Sequence, residues 1–315
     1  MRVIGVSEFG GPEALREFDV PERHAGPKEV RIRVRAAAVN PTDTLTRSGA
    51  RAEDLRKNPP PYVPGMDAAG VVEEIGPEVS ADYGVGDHVM AIVVPDGSHG
   101  AYSESIVVPA DSVARVPHGA SDAEAATLPM NGLTARRALD LLDLPPGATL
   151  AVTGAAGAFG GYVVQLAKAD GLRVVADAKP EDEELVRALG ADIVVARGDD
   201  VAERIRAAVP EGVDGLADGA VQDGLVTAAV RDGGGVATVR GYRGDDAALA
   251  RGISFHPVWV VDYQHARERL DRLREQAEKG VLTLRVAQVL PAAQAPQAHR
   301  RLEAGGVRGR LVLEF

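Results

Sequence analysis

The stretch LAVTGAAGAFGGYVVQLAKADG, residues 150–171, constrains the fold of this chain more than any other. It opens with an apolar run at 150–153 and continues through a turn with glycines at 154, 157 and 160. Apolar residues then recur at helical spacing up to Gly171. Such spacing favours a helix with one buried face, and glycine is common just past a helix end. The stretch therefore predicts a strand, a glycine turn and a helix in direct succession.

Strand, turn and helix in this order are the setting in which three glycines indicate a dinucleotide site. Gly154 permits a sharp turn, Gly157 leaves no side chain between backbone and pyrophosphate, and Gly160 lets helix and strand pack closely. The N–H groups at the helix start would face the phosphates. The spacing is G-x-x-G-x-x-G rather than the commoner G-x-G-x-x-G, so an ordinary tight turn remains the alternative.

A second apolar run, at 173–176, lies where the next parallel strand is expected. Asp177 closes this run, 17 residues after Gly160. An acidic residue near this position usually contacts the adenosine ribose. The run and its carboxylate strengthen the prediction of a dinucleotide site.

Composition excludes several other classes of site. The 315 residues carry 35 basic and 46 acidic side chains, a net charge of −11, so nucleic acid and anionic membranes are not expected partners. There is no cysteine, which removes disulfides, thiolate zinc sites and a cysteine nucleophile. Residues 1–11 lack a signal-peptide core, and no apolar run approaches 18 residues. A cytoplasmic protein is expected.

The pattern along the chain changes near residue 118. Before it, residues 28–38 alternate apolar side chains with arginines, 40–43 have turn composition, and further short apolar runs are separated by Gly, Pro and Asp. This predicts an all-β barrel or sandwich without helices of consequence. Residues 121–142 and 259–279 have helical patterns. Between 150 and 239, five strand candidates alternate with helices beginning near 161, 181, 200 and 221, which predicts a parallel sheet.

Pieces along nearly the whole chain carry a family resemblance. They include AAAVNPTDTLTRSG (36–49), PPYVPGMDAAGVVEEIG (60–76), LPMNGLTARRAL (128–139), VTGAAGAFGGYVVQLAK (152–168) and GGVRGRLVLEF (305–315). In this order and spacing they resemble the zinc-free quinone oxidoreductase (zeta-crystallin-like) branch of the medium-chain dehydrogenase/reductase superfamily.

The resemblance implies an α/β chain, with a Rossmann doubly wound parallel sheet and a GroES-like β-barrel catalytic domain. The expected boundaries are 1–118 for the catalytic domain, 119–257 for the Rossmann domain and 258–315 for the return to the catalytic domain. It also implies a cleft that holds the nicotinamide, and a homodimer.

The resemblance also separates this chain from zinc-dependent alcohol dehydrogenases. Those enzymes hold a catalytic zinc with a Cys and a Gly-His-Glu motif, where this chain has Asn40 and Gly65-Met66-Asp67. No thiolate or imidazole is available there, and no metal site is expected. Hydride transfer without a Lewis acid needs an electron-poor acceptor, such as a quinone or an α,β-unsaturated ketone or aldehyde. The predicted reaction is reduction of such a small molecule.

Predicted site residues follow from the motif and from the resemblance. The resemblance implies that Asn40 and Thr134 lie beside the nicotinamide and that Asp43 holds the Asn40 loop; an Asx-type turn is the alternative for Asn40. Tyr62, Tyr242 and Tyr263 are candidate proton donors, and Trp259 either lines the cleft or packs in a core. The predicted catalytic residues are Asn40, Tyr62 and Thr134. The predicted cofactor-binding residues are Asn40, Thr134, Gly154, Ala155, Ala156, Gly157, Ala158, Phe159, Gly160, Asp177, Lys179, Ala217, Val239, Arg240 and Gly241.

The sequence leaves the nucleotide and the acceptor open. Relatives favour NADPH, and Lys179 is a nearby cation, but Asp177 could bind both ribose hydroxyls and repel a 2′-phosphate, so NADH is possible. Relatives often carry a tyrosine where this chain has Leu45, which puts a quinone in doubt. Two alternatives remain: a nucleotide-binding protein with little turnover, acting as a redox sensor or structural protein, and an enoyl-thioester reductase, which Arg240 and Arg243 support only thinly.

Overall fold

A computed structural model describes residues 1–95 and 99–315. It divides into two compact units. The first unit comprises Met1–Met130, Val261–Gly280 and Leu284–Phe315, and the second comprises Asn131–Val260 and Val281–Thr283. Within the described residues, no helix is both long and apolar enough to cross a membrane.

The first unit is built mainly of β-structure. Its strands are β1 (Arg2–Gly5), β2 (Arg16–Asp19), β3 (Glu29–Ala38), β4 (Asp67–Ile75), β5 (His88–Ile92), β6 (Ser105–Pro109) and β7 (Val113–Arg115), with β14 (Val286–Pro291) and β15 (Arg310–Glu314) from the end of the chain. Its helices are α1 (Pro41–Ser48), α2 (Ala52–Leu55), α3 (Asp122–Ala125), α9 (Arg267–Glu278) and α10 (Ala295–Glu303).

Strand β3 is the centre of this unit. The sheet order is β14-β15-β3-β4-β5-β7, with β6 also paired to β3 and β14–β15 the parallel pair. The alternation predicted at 28–38 is present, since Val30, Ile32 and Val34 are buried in the core. The last strand pairs Leu313 with Ala37, so the two ends of the chain share one sheet.

The expectation of no helices in this region is wrong at 40–55, where α1 and α2 form. Asn40 precedes Pro41 at the first helical position, and the Asn40 N–H donates to Asp43 Oδ2 at 2.8 Å. Gly49, in the left-handed conformation (φ 84°), ends α1. Asn-Pro was interpreted as a turn, but proline at a first helical position also suits a helix start, and composition does not separate the two.

The second unit is a parallel sheet with helices between its strands. Its strands are β8 (Thr149–Thr153), β9 (Arg173–Ala178), β10 (Ile193–Ala196), β11 (Val213–Asp218), β12 (Val230–Thr238) and β13 (Ser254–Pro257). Its helices are α5 (Ala158–Ala169), α6 (Glu183–Ala188), α7 (Val201–Ala208) and α8 (Asp246–Ala250), while α4 (Pro129–Leu142) begins at the end of the first unit.

The strand order is β10-β9-β8-β11-β12-β13, and every pairing is parallel. This is the doubly wound Rossmann order, which reverses between β8 and β11. The predicted α/β class is confirmed. Three details differ: the helix expected near 221 is a 3₁₀ segment (Asp223–Ala229), the helix expected at 259–279 is α9 alone, and β13 was not predicted.

Candidate functional site

The glycine turn in the second unit follows β8 directly. Gly154 has φ 68°, a conformation that favours glycine, and a Cβ there would lie 2.9 Å from the carbonyl carbon of Gly219. A Cβ at Gly160 would lie 2.4 Å from the Gly154 oxygen. Both positions therefore require glycine, one for the turn and the other for close packing of α5 on it.

Gly157 differs from these two glycines. It has extended backbone (φ −72°, ψ 174°) and precedes α5, and a Cβ there would approach one atom, the Gly154 oxygen, at 3.1 Å. A methyl group at 157 would therefore need a smaller shift of neighbouring main chain than one at 154 or 160. Helix geometry leaves the first N–H groups of α5, from Ala158 onward, without intrahelical acceptors. The turn therefore presents bare main chain and a helix N-terminus, an arrangement suited to a pyrophosphate.

Asp177, near the end of β9, lies beneath this turn. Its side chain is 1% exposed, and Oδ1 accepts the Ala155 N–H at 3.1 Å. Burial raises the carboxyl pKa, although the Ala155 N–H and the charge of Arg197 oppose this shift. Oδ2 accepts no hydrogen bond within the described chain and lies 4.0 Å from Arg197 Nε. The region beside the glycine turn thus contains a buried carboxylate oxygen that accepts no hydrogen bond from the described residues.

A second buried carboxylate, missed by sequence reasoning, braces the ends of β8 and β11. Thr153 Oγ1 donates to Asp218 Oδ1 at 2.6 Å, and Asp218 Oδ2 accepts the N–H groups of Gln222 and Asp223, each at 2.8 Å. Asp218 is 1% exposed. The pair fixes the point where the strand order reverses. The only sequence signal was a charged residue closing an apolar run at 213–217.

The other predicted residues of the second unit lie on its strands, loops and helices. Ala217 is buried within β11, and Lys179 is exposed, 4.0 Å from Glu181. After β12, Val239 is partly buried and Arg240 exposed. Gly241 has φ 84°, and a Cβ there would lie 3.5 Å from Trp259 Cζ2. Trp259 is 51% exposed, so its interpretation as a core residue is wrong. Thr134, on α4, is 8% exposed.

In the first unit, Asn40 and Asp43 form a buried corner at the start of α1. Asp43 Oδ2 accepts the Asn40 N–H and, at 3.0 Å, the Tyr102 hydroxyl. Asp43 Oδ1 accepts the Gly65 N–H at 3.1 Å. Burial raises the Asp43 pKa to about 6, against the lowering effect of these hydrogen bonds. Asp43 therefore holds the Asn40 segment, as the resemblance implied.

Asp67, the first residue of β4, was not among the predicted site residues. Its side chain is fully buried; Oδ2 accepts Asn40 Nδ2 at 2.7 Å and Oδ1 accepts the Met130 N–H at 2.6 Å. Burial raises its pKa to about 7. One of the two amide hydrogens of Asn40 is thus committed to Asp67. The sequence signal was a single charged residue inside the apolar run 63–72.

The buried network continues from Asp43 to α10. Tyr102 Oη lies 3.2 Å from His299 Nε2, and both side chains are fully buried. Burial lowers the His299 pKa to about 3, with a further contribution from the Arg47 charge, so the imidazole is neutral at ordinary pH. Burial beside Asp43 raises the Tyr102 pKa. His299 lies in a polar segment of sequence that gave no sign of this role.

Tyr62 lies in a packed position of the same unit. Its ring stacks on Phe9 with centroids 5.0 Å apart, its hydroxyl donates to the Asn58 carbonyl at 3.3 Å, and the residue is 6% exposed. This is the environment of a core aromatic residue whose hydroxyl is already bonded. The role of Tyr62 in catalysis stays a prediction that this geometry does not favour.

The residues at the alcohol dehydrogenase zinc positions do not make a metal site. Asn40 and Asp67 are hydrogen-bonded to each other, Met66 is buried, and both oxygens of Asp67 accept hydrogen bonds. In the described ranges, no group of three or more His, Cys, Asp or Glu side chains could hold a metal ion. This donor set does not fit zinc.

The first unit also contains a cavity of about 380 Å³ between β6 and the segment at 264–265. Met1, Arg23, Glu29, His99 and His265 are among its lining residues. None of the predicted site residues lines it.

Comparison with protein families matches both parts of the chain. Residues 26–118 match the alcohol dehydrogenase GroES-like domain, and residues 189–313 match the zinc-binding dehydrogenase family.

Two curated relatives are quinone oxidoreductases. The protein from Pseudomonas aeruginosa is 29% identical over 334 residues, covering 98% of this chain and 98% of the relative. The protein from Mus musculus is 37% identical over 188 residues, covering 58% of this chain and 54% of the mouse protein.

Solved structures with the same fold include a dehydrogenase, a protein complexed with NADPH and an enoyl reductase. An NAD-dependent alcohol dehydrogenase has a TM-score of 0.87 and 32% identity, with full coverage of both chains. A mycobacterial protein complexed with NADPH has a TM-score of 0.87 and 30% identity, also with full coverage of both. The CurK enoyl reductase has a TM-score of 0.85 and 26% identity, covering 99% of this chain and 98% of its own.

Proposed function

Because the chain belongs to the medium-chain dehydrogenase/reductase superfamily and has quinone oxidoreductases among its relatives, we propose that it is a zinc-independent reductase that uses NADPH to reduce a quinone or an α,β-unsaturated carbonyl compound. The observation that carries this proposal is the glycine turn at the end of β8. It combines a positive-φ glycine at 154, a residue without a side chain at 157 and the N-terminus of α5. These are the features that a pyrophosphate requires of main chain.

The reduced nicotinamide, when bound, supplies a hydride. The chain's own contribution is to bind and orient the nucleotide. The turn at 154–160 would hold the diphosphate, and Asp177 with Arg197 would lie at the adenosine ribose. The loop at 239–241 and Trp259 would continue the site. Asn40 and Thr134, by the resemblance, would border the nicotinamide.

Zinc independence is supported by the donor set. An alcohol or a simple carbonyl needs a Lewis acid for hydride transfer, whereas a quinone or an enone is already electron-poor. The two oxygens of Asp67 are committed to Asn40 and Met130, and Met66 offers no imidazole. The acceptor class that such a site suits is therefore an activated one.

NADPH is proposed over NADH on the local cations. Lys179 is exposed after β9, and Arg197 follows β10 with its side chain 44% exposed. Arg197 lies next to Asp177, so the carboxylate that could exclude a 2′-phosphate is partly neutralised. Either cation could pair with that phosphate.

Two alternatives make different predictions in one assay. Purified protein would be titrated with NADPH and NADH by fluorescence, then mixed with a panel of quinones, enones and an enoyl thioester while the reduced-nicotinamide absorbance is followed. Loss of absorbance with a quinone or an enone supports the proposal. Turnover of the thioester alone would assign an enoyl-thioester reductase, the activity named for one structural neighbour. Tight binding with no turnover would assign a nucleotide-binding protein.

A further inference from the structure

Asp67 makes two hydrogen bonds to which the proposed function assigns no role. It is fully buried, and its two carboxylate oxygens bind different segments: Oδ2 accepts Asn40 Nδ2 at 2.7 Å, and Oδ1 accepts the Met130 N–H at 2.6 Å. Asn40 immediately precedes α1. Met130 is the second residue of α4, so its N–H is one that the helix itself cannot satisfy.

These two contacts are specific in their direction. The ionised form of Asp67 only accepts hydrogen bonds, so in that form the amino group of Asn40 has to face Asp67 and its carbonyl oxygen has to face elsewhere. The short distances are typical of hydrogen bonds to a charged acceptor. The orientation of the Asn40 carboxamide is therefore set by Asp67, while Asp43 holds the Asn40 main chain at 2.8 Å.

The resemblance to zinc-dependent alcohol dehydrogenases indicates why this hydrogen bond matters for the site. In those enzymes the positions of Asn40 and the 65–67 motif are joined through a metal ion. In this chain a direct hydrogen bond joins Asn40 to Asp67. The connection between these two segments is kept, but it is made by two side chains.

From these contacts we infer that Asp67 is the positioning residue of the reductase site, which orients the Asn40 carboxamide and anchors the N-terminus of α4 ahead of Thr134. This inference rests on the proposed function, since Asn40 and Thr134 are the residues that the resemblance sets beside the nicotinamide. Asp67 acts through Asn40 and does not touch the substrate.

The test compares Asp67→Asn with the reciprocal pair Asp67→Asn/Asn40→Asp. In the single variant, one amide oxygen replaces two acceptors, so an amino group faces either Asn40 or Met130. In the double variant, the new amide at position 67 can accept from the Met130 N–H and donate to the new carboxylate at position 40, which restores both bonds. Asp214→Asn is the matched control, because Asp214 also accepts one main-chain N–H (Thr149, 2.8 Å) and one side-chain donor (Arg231, 2.7 Å), at the end of the parallel sheet away from the glycine turn.

We expect Asp67→Asn to lower kcat by about tenfold or more, the effect of one lost hydrogen bond to a charged group. The dissociation constant for NADPH should stay within about twofold, since the contacts of the glycine turn are unchanged. Amide hydrogen exchange should accelerate in the peptides covering 36–45 and 128–134. The double variant should recover slow exchange in both peptides but not kcat, because it lacks the Asn40 carboxamide, and Asp214→Asn should change neither exchange nor kcat.

Unchanged kcat and unchanged exchange in Asp67→Asn would overturn the inference while the wild-type reductase activity stands. Equally fast exchange in the single and double variants would also overturn it, since restoring the two bonds would then not restore the two segments. If the wild-type protein takes up no nicotinamide nucleotide, the proposed function fails. The exchange data would still decide separately whether Asp67 holds the two segments.

Discussion

At the scale of single residues, the glycine turn shows why three glycines of one motif are not equivalent. Gly154 and Gly160 are required by the fold, because a Cβ at either would lie within 3.0 Å of neighbouring main chain. At Gly157 a Cβ would meet a single atom, the Gly154 oxygen, at 3.1 Å, so a methyl group there requires a smaller shift of the main chain. Gly157 is therefore the glycine of the three at which binding can be tested with the least disturbance of the fold.

Gly157→Ala should weaken NADPH binding by about tenfold or more, or ~1.4 kcal/mol, because the added methyl group occupies the approach to the turn. The unfolding temperature should change little. Gly84→Ala is the matched control, since a Cβ at Gly84 meets no atom within 4 Å. Binding by fluorescence titration is the measurement. Equal affinities in the two variants would mean that the diphosphate does not lie against Gly157.

Asp177→Ser should shift nucleotide preference toward NADPH. The change removes an acceptor for the 2′-hydroxyl of NADH and releases Arg197, 4.0 Å away, to pair with a 2′-phosphate. The ratio of the NADH to the NADPH dissociation constant should rise about tenfold. The kcat/KM ratio provides a second readout. An unchanged ratio in both measurements would show that Asp177 does not face the ribose.

At the scale of elements, the sequence predicts regular alternation well and isolated contacts poorly. Strands β8 to β11 follow from short apolar runs between helical patterns. Strand β13 has no such run, because Ser254–Pro257 is mostly half-exposed at the sheet edge. Helix α1 was missed because Asn-Pro suits both a turn and a helix start. The burial of β13 and of α1 depends on tertiary pairing, which local composition does not predict.

The residues of the candidate site likewise include some that the sequence predicts and some that it does not. Asn40, Asp43 and the glycines stand in motifs that the sequence displays. The Tyr102–His299 contact joins residues 197 positions apart, and α10 carries His299 in a polar segment. No local sequence pattern predicts a contact between residues so far apart in the chain.

The contact between α10 and Tyr102 predicts a pH dependence of stability. The His299 pKa is about 3 in the folded protein against an ordinary value of 6.5. Between these values the unfolded chain binds a proton that the folded chain does not. The contribution of His299 to stability therefore falls as pH decreases from 6.5 towards 3, by on the order of 1 kcal/mol for each pH unit. The raised pKa values of Asp43 and Asp67 act in the opposite direction over part of this range.

His299→Gln should remove this contribution, so its unfolding temperature at pH 4 relative to that at pH 7 should be higher than in the wild type. A His299→Gln protein with the same difference between the two pH values as the wild type would assign the dependence to other groups.

At the scale of the whole molecule, one unit has a complete Rossmann strand order. In the β-rich unit, by the resemblance, Asn40, Met66 and Asp67 stand at the zinc positions of alcohol dehydrogenases. The buried carboxyl groups of Asp43 and Asp67 are held by hydrogen bonds, since Asp43 accepts three and Asp67 two. Turnover should therefore not depend on a metal ion.

Extensive dialysis against a strong chelator should leave kcat with the best quinone or enone unchanged within about twofold, because no Lewis acid takes part. Elemental analysis of the same protein should find far less than one zinc per chain. A zinc-dependent alcohol dehydrogenase treated in parallel would lose its activity and so validate the treatment. Turnover that is lost with the metal and restored by stoichiometric zinc would refute zinc independence.

Calorimetric titration of the purified protein with NADPH, and then with NADH, tests most directly whether the turn at 154–160 is a nucleotide site. We expect uptake of one nucleotide per chain, with NADPH bound more tightly and with binding weakened in Gly157→Ala. Absence of heat from both nucleotides, at protein concentrations in the high micromolar range, would contradict it.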